Sequence, residues 1–489
     1  MSQTHRPLLR VLGSGEPAIL VEEAIAVLEN VGVRVDSTQG RTLLLDARAE
    51  TAGDRIRIPE RLVREALVTV PHDIHLFDRE GGPAAELAGD AVHFDPGSAA
   101  IHILDSATGK RREALTADVV ALTRLVDGLP NYAVQSTALL AADVPQEVGD
   151  RYRLYLALRH GKKPIVTGTF RTDGFAPMQA MLEAARGGAA ALAAQPLAIF
   201  DCCPSPPLAW SDLTCRALLA CACARIPANL ISMPLAGATA PVTLRESIVQ
   251  HAAESLSGIV LHQLAGPGAP ISWGGAPAAF DMRHGTTPMG SMETMLLNLA
   301  NAQVGKHLGL PVHAYLALSD AKTPDYQAGM ETGMGAVLAA MAGINLVSGP
   351  GILDYILTQS PEKLVLDHEA CGMALRLVRG IAQHGGETLP LFADLVRTGE
   401  FLSHSHTRAH WKRELTVPSS VIDRDTWADW EAKGSLDAAT RAREEVARRL
   451  SREPGAPASE ALAGELDRIM LAEAARYGMG RLPGARPFR

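Results

Sequence analysis

Short apolar runs alternate with helix-patterned segments eight times between about Val92 and Ser348 of this chain. The runs are residues 92–94, 133–140, 164–170, 196–201, 229–233, 270–273, 311–318 and 344–348. Each is bounded by Gly, Pro or polar residues, and they recur at roughly 30 to 40 residues, the length of a βα unit. Runs that stay apolar instead of alternating suit parallel strands buried on both faces. Eight such units, each followed by a helix, predict an α/β fold of the (β/α)8 TIM-barrel type. In that fold the reactive side chains belong at the C-terminal ends of the strands.

The chain has 489 residues, and a barrel of this type needs about 250. The surplus predicts an N-terminal helical and mixed α/β extension over 1–90 and C-terminal helices over 360–489 packing on a barrel at 91–359. In the first, Leu20, Ala24, Val27, Leu28 and Val31 have helical spacing up to Gly32, and Ile58-Pro59-Glu60 starts a second helix. Residues 91–104 read as strand, Asp95-Pro-Gly turn, strand. Near the end, helices are expected over 436–450 and 458–477, parted by a Pro-rich break at 453–457. Thr243-Leu-Arg-Glu246 has capping-box spacing, and Ser360-Pro-Glu362 sets a cap, a first-turn proline and an acid in order.

A net charge of −8 without a Lys/Arg cluster argues against nucleic-acid or anionic-membrane partners. Met1-Ser-Gln-Thr-His-Arg leads into no signal-peptide core, and no apolar stretch is long enough to span a bilayer. Six cysteines in so long a chain make no disulfide framework. The expectation is a soluble cytoplasmic homo-oligomer.

Aromatic residues are only 4% of the chain, yet five predicted strands end in or beside one: Phe94, Phe170, Phe200, Trp273 and Tyr315, with Tyr326 and Tyr355 in later loops. Each can be core filling. As a set at one barrel mouth they form a cage for a methylammonium cation, held through ring quadrupoles. Asp95, Asp143, Asp201 and Asp320 share that face, either as strand-end caps or as working carboxylates.

Ser319-Asp-Ala-Lys-Thr-Pro-Asp-Tyr-Gln-Ala-Gly-Met-Glu331, Gly237-Ala-Thr-Ala-Pro-Val-Thr-Leu244, Gln263-Leu-Ala-Gly-Pro-Gly-Ala-Pro270 and Leu104-Asp-Ser-Ala-Thr-Gly-Lys-Arg-Arg112 with Thr116-Ala-Asp118 follow one another in order. With His406-Thr-Arg and Val421-Ile-Asp-Arg, they make the chain resemble the trimethylamine methyltransferase (MttB) superfamily over nearly its whole length. The resemblance implies a (β/α)8 enzyme that removes a methyl group from a methylated amine. The acceptor it implies is the Co(I) corrinoid of a separate small protein, with no cofactor bound tightly by this chain. The founding members carry pyrrolysine in the barrel. No nonstandard residue occurs here, which favours the non-pyrrolysine branch associated with quaternary amines such as glycine betaine. Lys322 is one surrogate for the missing residue, and a loop ion pair is its plainer role.

Demethylating a quaternary ammonium releases a neutral amine, so desolvation and in-line positioning matter more than proton transfer. The residues expected in catalysis are Asp95, Asp201 and Asp320. Phe94, Phe170, Phe200, Trp273, Tyr315 and Tyr326 are expected to bind substrate. Arg283 or His313 would meet a betaine carboxylate, unless the first pairs with an acid and the second is a core histidine. Two alternatives remain: direct methyl transfer to tetrahydrofolate, and a barrel that binds betaine-like ligands without catalysis. Cys221 and Cys223 read as small thiols on a helix, and no metal is assigned. Cys202 and Cys203, after the fourth strand, are open to a metal or reactive-thiol role. The glycines of Ser348-Gly-Pro-Gly351 suit a backbone turn or a phosphate cradle.

Overall fold

The computed structural model describes residues 6–97, 99–383, 388–452 and 455–483. The opening residues Met1–His5 and the start of the Pro-rich break, 453–454, lie outside them.

A parallel strand forms in each of the eight apolar runs. These are β1 (His93–Asp95), β2 (Gln135–Ser136), β3 (Ile165–Thr167), β4 (Ala198–Cys202), β5 (Ala228–Leu230), β6 (Ile271–Ser272), β7 (His313–Tyr315) and β8 (Leu346–Ser348). Each is followed by a helix: α1 (Thr116–Asp127), α2 (Gly149–His160), α3 (Phe175–Arg186), α4 (Asp212–Ala224), α5 (Leu244–Ala265), α6 (Met292–His307), α7 (Tyr326–Ala342) and α8 (Pro361–Val378). Strands β2 to β6 form one parallel sheet in chain order, and β7, β8 and β1 form another. Single parallel bridges join their edges, Phe94 to Tyr132 on one side and Trp273 to Val312 on the other.

Alternation along the strands sorts the side chains into two cores. Val134, Val166, Ile199 and Leu346 share an apolar cluster with Ile74, Leu76, Ala85 and Leu87. Those four come from an antiparallel hairpin, Ile74–Phe77 with Pro83–Leu87, which packs on the strands at their N-terminal ends. The neighbouring positions Phe94, Phe200, Leu230 and Trp273 point the other way, into the large cluster shared with the helices.

The flanking segments are tied to this frame. The helix Glu16–Asn30 ends before Gly32, whose φ of +81° admits glycine readily. Strand Val33–Val35 pairs in parallel with Ala209–Trp210, in the loop after β4. The second helix runs Glu60–Thr69 with Pro59 as its N-cap. The strand–turn–strand over 91–104 divides between two sheets: β1 pairs with β8, whereas His102–Leu104 pairs with Arg111–Glu113 and Thr358–Gln359. Ser360 caps α8 as its spacing predicts, accepting from the Lys363 N–H at 3.2 Å. Thr243 is the N-cap of α5 without a side-chain cap bond. Toward the C-terminus lie two further helices, α9 (Ala438–Arg452) and α10 (Glu460–Ala475). Among the described residues no helix is long and apolar enough to cross a membrane.

Candidate active site

Parallel pairing puts the C-terminal ends of the strands on one edge, and the inward positions there are polar. On one side, Tyr315, Ser348 and Asp95 stand in register on β7, β8 and β1. On the other, Asp201, Asn229 and Ser272 stand in register on β4, β5 and β6.

Hydrogen bonds run along both arcs. Ser348 Oγ donates to Asp95 Oδ2 at 2.6 Å, His313 Nε2 lies 2.9 Å from the same hydroxyl, and the Gly97 N–H donates to Asp95 Oδ1 at 2.9 Å. Asn229 Nδ2 donates to Asp201 Oδ1 at 3.0 Å, and Ser272 Oγ donates to Asn229 Oδ1. Tyr315 joins the arcs: its hydroxyl lies 3.4 Å from Asp201 Oδ2, and its ring stands edge-on to His313 with centroids 5.3 Å apart. Ile231, Ala276, Ala278, Met289, Leu318 and Ile352 pack with Tyr315 in an apolar cluster that limits hydration beside these groups.

Burial splits the two carboxylates. Desolvation pushes Asp95 up to about 8, against the hydrogen bonds from Ser348 and Gly97, and the Asp201 charge adds to the rise. Desolvation raises Asp201 only to about 6, because Asn229, the Arg153 charge and Tyr315 oppose it. At neutral pH the site therefore holds one protonated and one largely ionised carboxyl. Burial also drives His313 down to about 3, so it is neutral. Arg153, on α2, donates to the Thr137 and Gly168 carbonyls at 2.9 Å each, with its guanidinium 4.3 Å from the centre of the Phe170 ring. Its own burial lowers it to about 10, so it stays charged.

The structure thus brings together Asp95, Asp201, Tyr315 and His313 of the expected site residues, and places Phe170 on the rim with 43% of its surface exposed. It does not bring the other aromatic residues into a cage. Phe94 and Phe200 precede inward aspartates, so alternation turns both outward, and Phe200 packs on Phe175 of α3 at 5.1 Å. Trp273 also faces out, donating Nε1–H to Asn301 Oδ1 on α6 at 2.7 Å. Tyr326, the first residue of α7, is 85% exposed. Arg283 extends into solvent beside Asp281 at 3.6 Å.

Asp320 works as a clamp, its carboxylate accepting the Met289 and Gly290 N–H groups at 2.9 and 2.8 Å. Asp143 likewise accepts from the Thr116 N–H and hydroxyl. Lys322 lies 3.4 Å from Asp354 and 3.8 Å from the centre of the Tyr355 ring, in the plainer ion-pair role. The Gly349 and Gly351 N–H groups are bound to the Asp95 carbonyl and to Asp367, which leaves no phosphate cradle there. Cys202 is buried against Cys221, while Cys203 is accessible at the end of β4. Among the described residues no group of three or more His, Cys, Asp or Glu is placed to hold a metal ion.

Three further residues take part in the site: Asn229, Ser348 and Arg153. Asn229 carries a signal as the polar residue that opens the apolar run 229–233. Ser348 ends the eighth run and opens the glycine turn, neither of which marks it as a site residue. Arg153 carried no readable signal, because α2 is buried along most of its length.

The family model described as trimethylamine methyltransferase (MTTB) matches residues 2–473. The chain belongs to the trimethylamine methyltransferase family. Relatives in this methyltransferase family include trimethylamine methyltransferase MttB of Desulfitobacterium hafniense (strain DSM 10664 / DCB-2), 29% identical over 98% of both chains. MttB of Methanosarcina thermophila is 32% identical over 86% of this chain and 88% of its own. The glycine betaine methyltransferase of Desulfitobacterium hafniense (strain Y51) is 28% identical over 89% of this chain and 91% of its own. The crystal structure of the Methanosarcina barkeri monomethylamine methyltransferase (MtmB) has a similar fold. It aligns with a TM-score of 0.51 over 89% of this chain and 86% of its own, at 10% identity.

Proposed function

We propose that this chain demethylates a methylated ammonium compound bound beside Asp201 and Tyr315, and that the methyl group passes to the Co(I) corrinoid of a separate protein. The observation that carries this reading is the Tyr315–Asp201 contact across the strand ends, with a second carboxyl, Asp95, close enough to feel the Asp201 charge. A partly desolvated carboxylate attracts an organic cation, and the Tyr315 ring and the surrounding apolar cluster suit its methyl groups.

The reaction breaks an N–CH3 bond whose electron pair stays on nitrogen, so the substrate loses its charge as the methyl leaves. Too strong an anionic site would hold the starting cation better than the transition state. With Asp95 protonated, Asp201 supplies one negative charge and the nearby Arg153 cation offsets part of it, which allows binding without deep trapping.

We read the two parallel sheets and their two joining bridges as a closed (β/α)8 barrel over 91–359, flanked by segments 1–90 and 360–489. The corrinoid protein would then dock over the strand C-terminal ends. The substrate we favour is a quaternary, betaine-like amine, because the chain contains no nonstandard residue. A soluble cytoplasmic homo-oligomer is the setting proposed for it.

The test supplies glycine betaine or trimethylamine to the purified protein with a Co(I) corrinoid protein, with tetrahydrofolate, or with neither. Demethylated amine should form only with the corrinoid protein, and Asp201→Asn should suppress it. Product formation with tetrahydrofolate alone would replace the acceptor. Binding without turnover in every arm would leave only a ligand-binding barrel.

A further inference from the structure

A second concavity lies away from Asp201, where residues 130–131 lead into β2 and the last turns of α8 meet segment 416–424. Its volume is about 720 Å³, and its lining includes Arg376, Arg379, Arg424, Arg449, Glu369 and Ser419. That volume is within the range of small-molecule sites. Four guanidinium groups around one recess are unexpected in a chain of net charge −8.

The hydrogen-bond partners given for Arg376, Arg379 and Arg424 are backbone carbonyls, which do not remove their charge. Arg376 donates to the Gly380 carbonyl at 2.9 Å and to the Glu414 carbonyl at 3.2 and 2.9 Å. Its distance to the Glu414 carboxylate is 3.9 Å, at the outer limit of an ion pair. Arg379 donates to the Arg413 carbonyl at 2.9 Å, and Arg424 to the Asp423 carbonyl at 3.0 Å. A carbonyl satisfies one N–H without cancelling the positive charge, and a guanidinium carries five donors. Arg449 is balanced by Glu445 at 2.8 Å. Among the described lining residues the one carboxylate, Glu369, is engaged by the Ser419 N–H at 3.3 Å and lies 3.4 Å from His368 Nδ1.

Arg376 and Arg379 are three residues apart and so share a helical face, and Arg424 approaches from a different segment. We propose that this recess binds a small polyanion, a molecule with two or more phosphate or carboxylate groups. Guanidinium forks arriving from two segments match planar or tetrahedral anions, and a singly charged ion would leave much of this charge unbalanced. The proposal is independent of the methyl-transfer reading, because no group at the strand C-terminal ends enters it.

Calorimetric titration of the full-length protein with inorganic pyrophosphate and with citrate, at low ionic strength, tests it. Saturable binding near one equivalent is expected for at least one of them, with affinity at least tenfold lower in Arg379→Ala/Arg424→Ala. The Arg379→Lys/Arg424→Lys variant should fall between, because it keeps charge and loses the fork. Both side chains are exposed, and thermal melting checks the fold. If the double variant fails to fold, Arg424→Ala alone should still show a measurable loss. No saturable binding of either anion at millimolar concentration, or equal binding by wild type and the alanine variant, overturns the proposal.

Discussion

The Ser348 hydroxyl lies 2.6 Å from Asp95 Oδ2 and ties β8 to β1 at the level of the site. With His313 Nε2 2.9 Å from the same hydroxyl, three strand residues share one hydrogen-bonded line. When Asp95 is protonated, its O–H can donate to Ser348, and Ser348 in turn to His313 Nε2. Neutral His313 can act as acceptor there, because burial holds it down at about 3.

This line makes stability depend on pH in a stated direction. Asp95 is raised to about 8 in the folded chain, against about 3.9 in an unfolded one. Between those values the folded state keeps a proton that the unfolded state has released, so stability falls as pH rises. Asp201, raised to about 6, contributes the same sign over a narrower window. Asp95→Asn keeps a donor toward Ser348 and removes the titration. From pH 5 to pH 8 the wild type should lose stability relative to Asp95→Asn by an amount on the order of a few kcal/mol. Urea unfolding at both pH values measures it, and parallel profiles would count against a buried titrating Asp95.

Substrate affinity should follow Asp201. Replacing it with Asn keeps the shape and removes the charge, at a cost of about 2 kcal/mol or more for a desolvated charge contact, roughly thirtyfold in Kd. Tyr315→Phe loses one hydrogen bond to that carboxylate and should cost about 1 kcal/mol. In the wild type, affinity for a permanently charged quaternary ammonium group, such as that of glycine betaine, should rise with pH through about 6, as Asp201 ionises. Titration calorimetry at pH 5 and pH 7.5 would read this, and a flat Asp201→Asn profile beside a sloping wild-type one is the expected result.

All eight strands were legible in the chain because each lies in a short, mostly apolar run between breakers, although β2 itself is the polar pair Gln135–Ser136. The inside and outside of the site were only partly so. Phe94 and Asp95, like Phe200 and Asp201, are adjacent, and a period of two forbids both members of a pair from facing inward. Choosing the acids would have excluded the neighbouring rings, and Asn229 would have followed as the polar residue in register. The Arg153 position depends on the rotation of α2 and on how far a guanidinium reaches toward the Thr137 and Gly168 carbonyls, which spacing does not encode. The contact between Tyr315 and Asp201 joins residues 114 apart in sequence and exists only once the two sheets are assembled.

Trp273 should behave as core. A methyl group added at Gly305 would come within 2.5 Å of Trp273 Cδ1, so α6 packs directly on the indole. Trp273→Ala should lose about 3 to 5 kcal/mol of stability, and Gly305→Ala about 1 to 3 kcal/mol by overpacking. Trp273→Phe should recover part of that loss and keep the wild-type preference for a trimethylammonium compound over its tert-butyl isostere. Loss of the preference in a stably folded Trp273→Phe protein would return the ring to the binding site.

The C-terminal helix is held by a buried charge. The Arg151 side chain is 0% exposed and lies 3.2 Å from Asp150, 3.1 Å from Asp173 and 2.5 Å from Glu473 of α10. Tyr155 and Arg159 reach Asp467 on the same helix at 2.6 Å each. Removing the guanidinium leaves acids facing one another in a poorly solvated seam, so Arg151→Ala should cost about 3 to 5 kcal/mol. Glu473→Gln keeps a hydrogen-bond acceptor for Arg151 and should cost less. Because Asp150 also accepts the Phe170 N–H at 2.9 Å, the damage should spread from the helix to the rim of the site. Thermal unfolding gives the size of the loss, and limited proteolysis gives its place. Early cleavage within α10 of Arg151→Ala, before any cut in the strands, is the expected pattern. Unchanged melting would show that the acids find other partners.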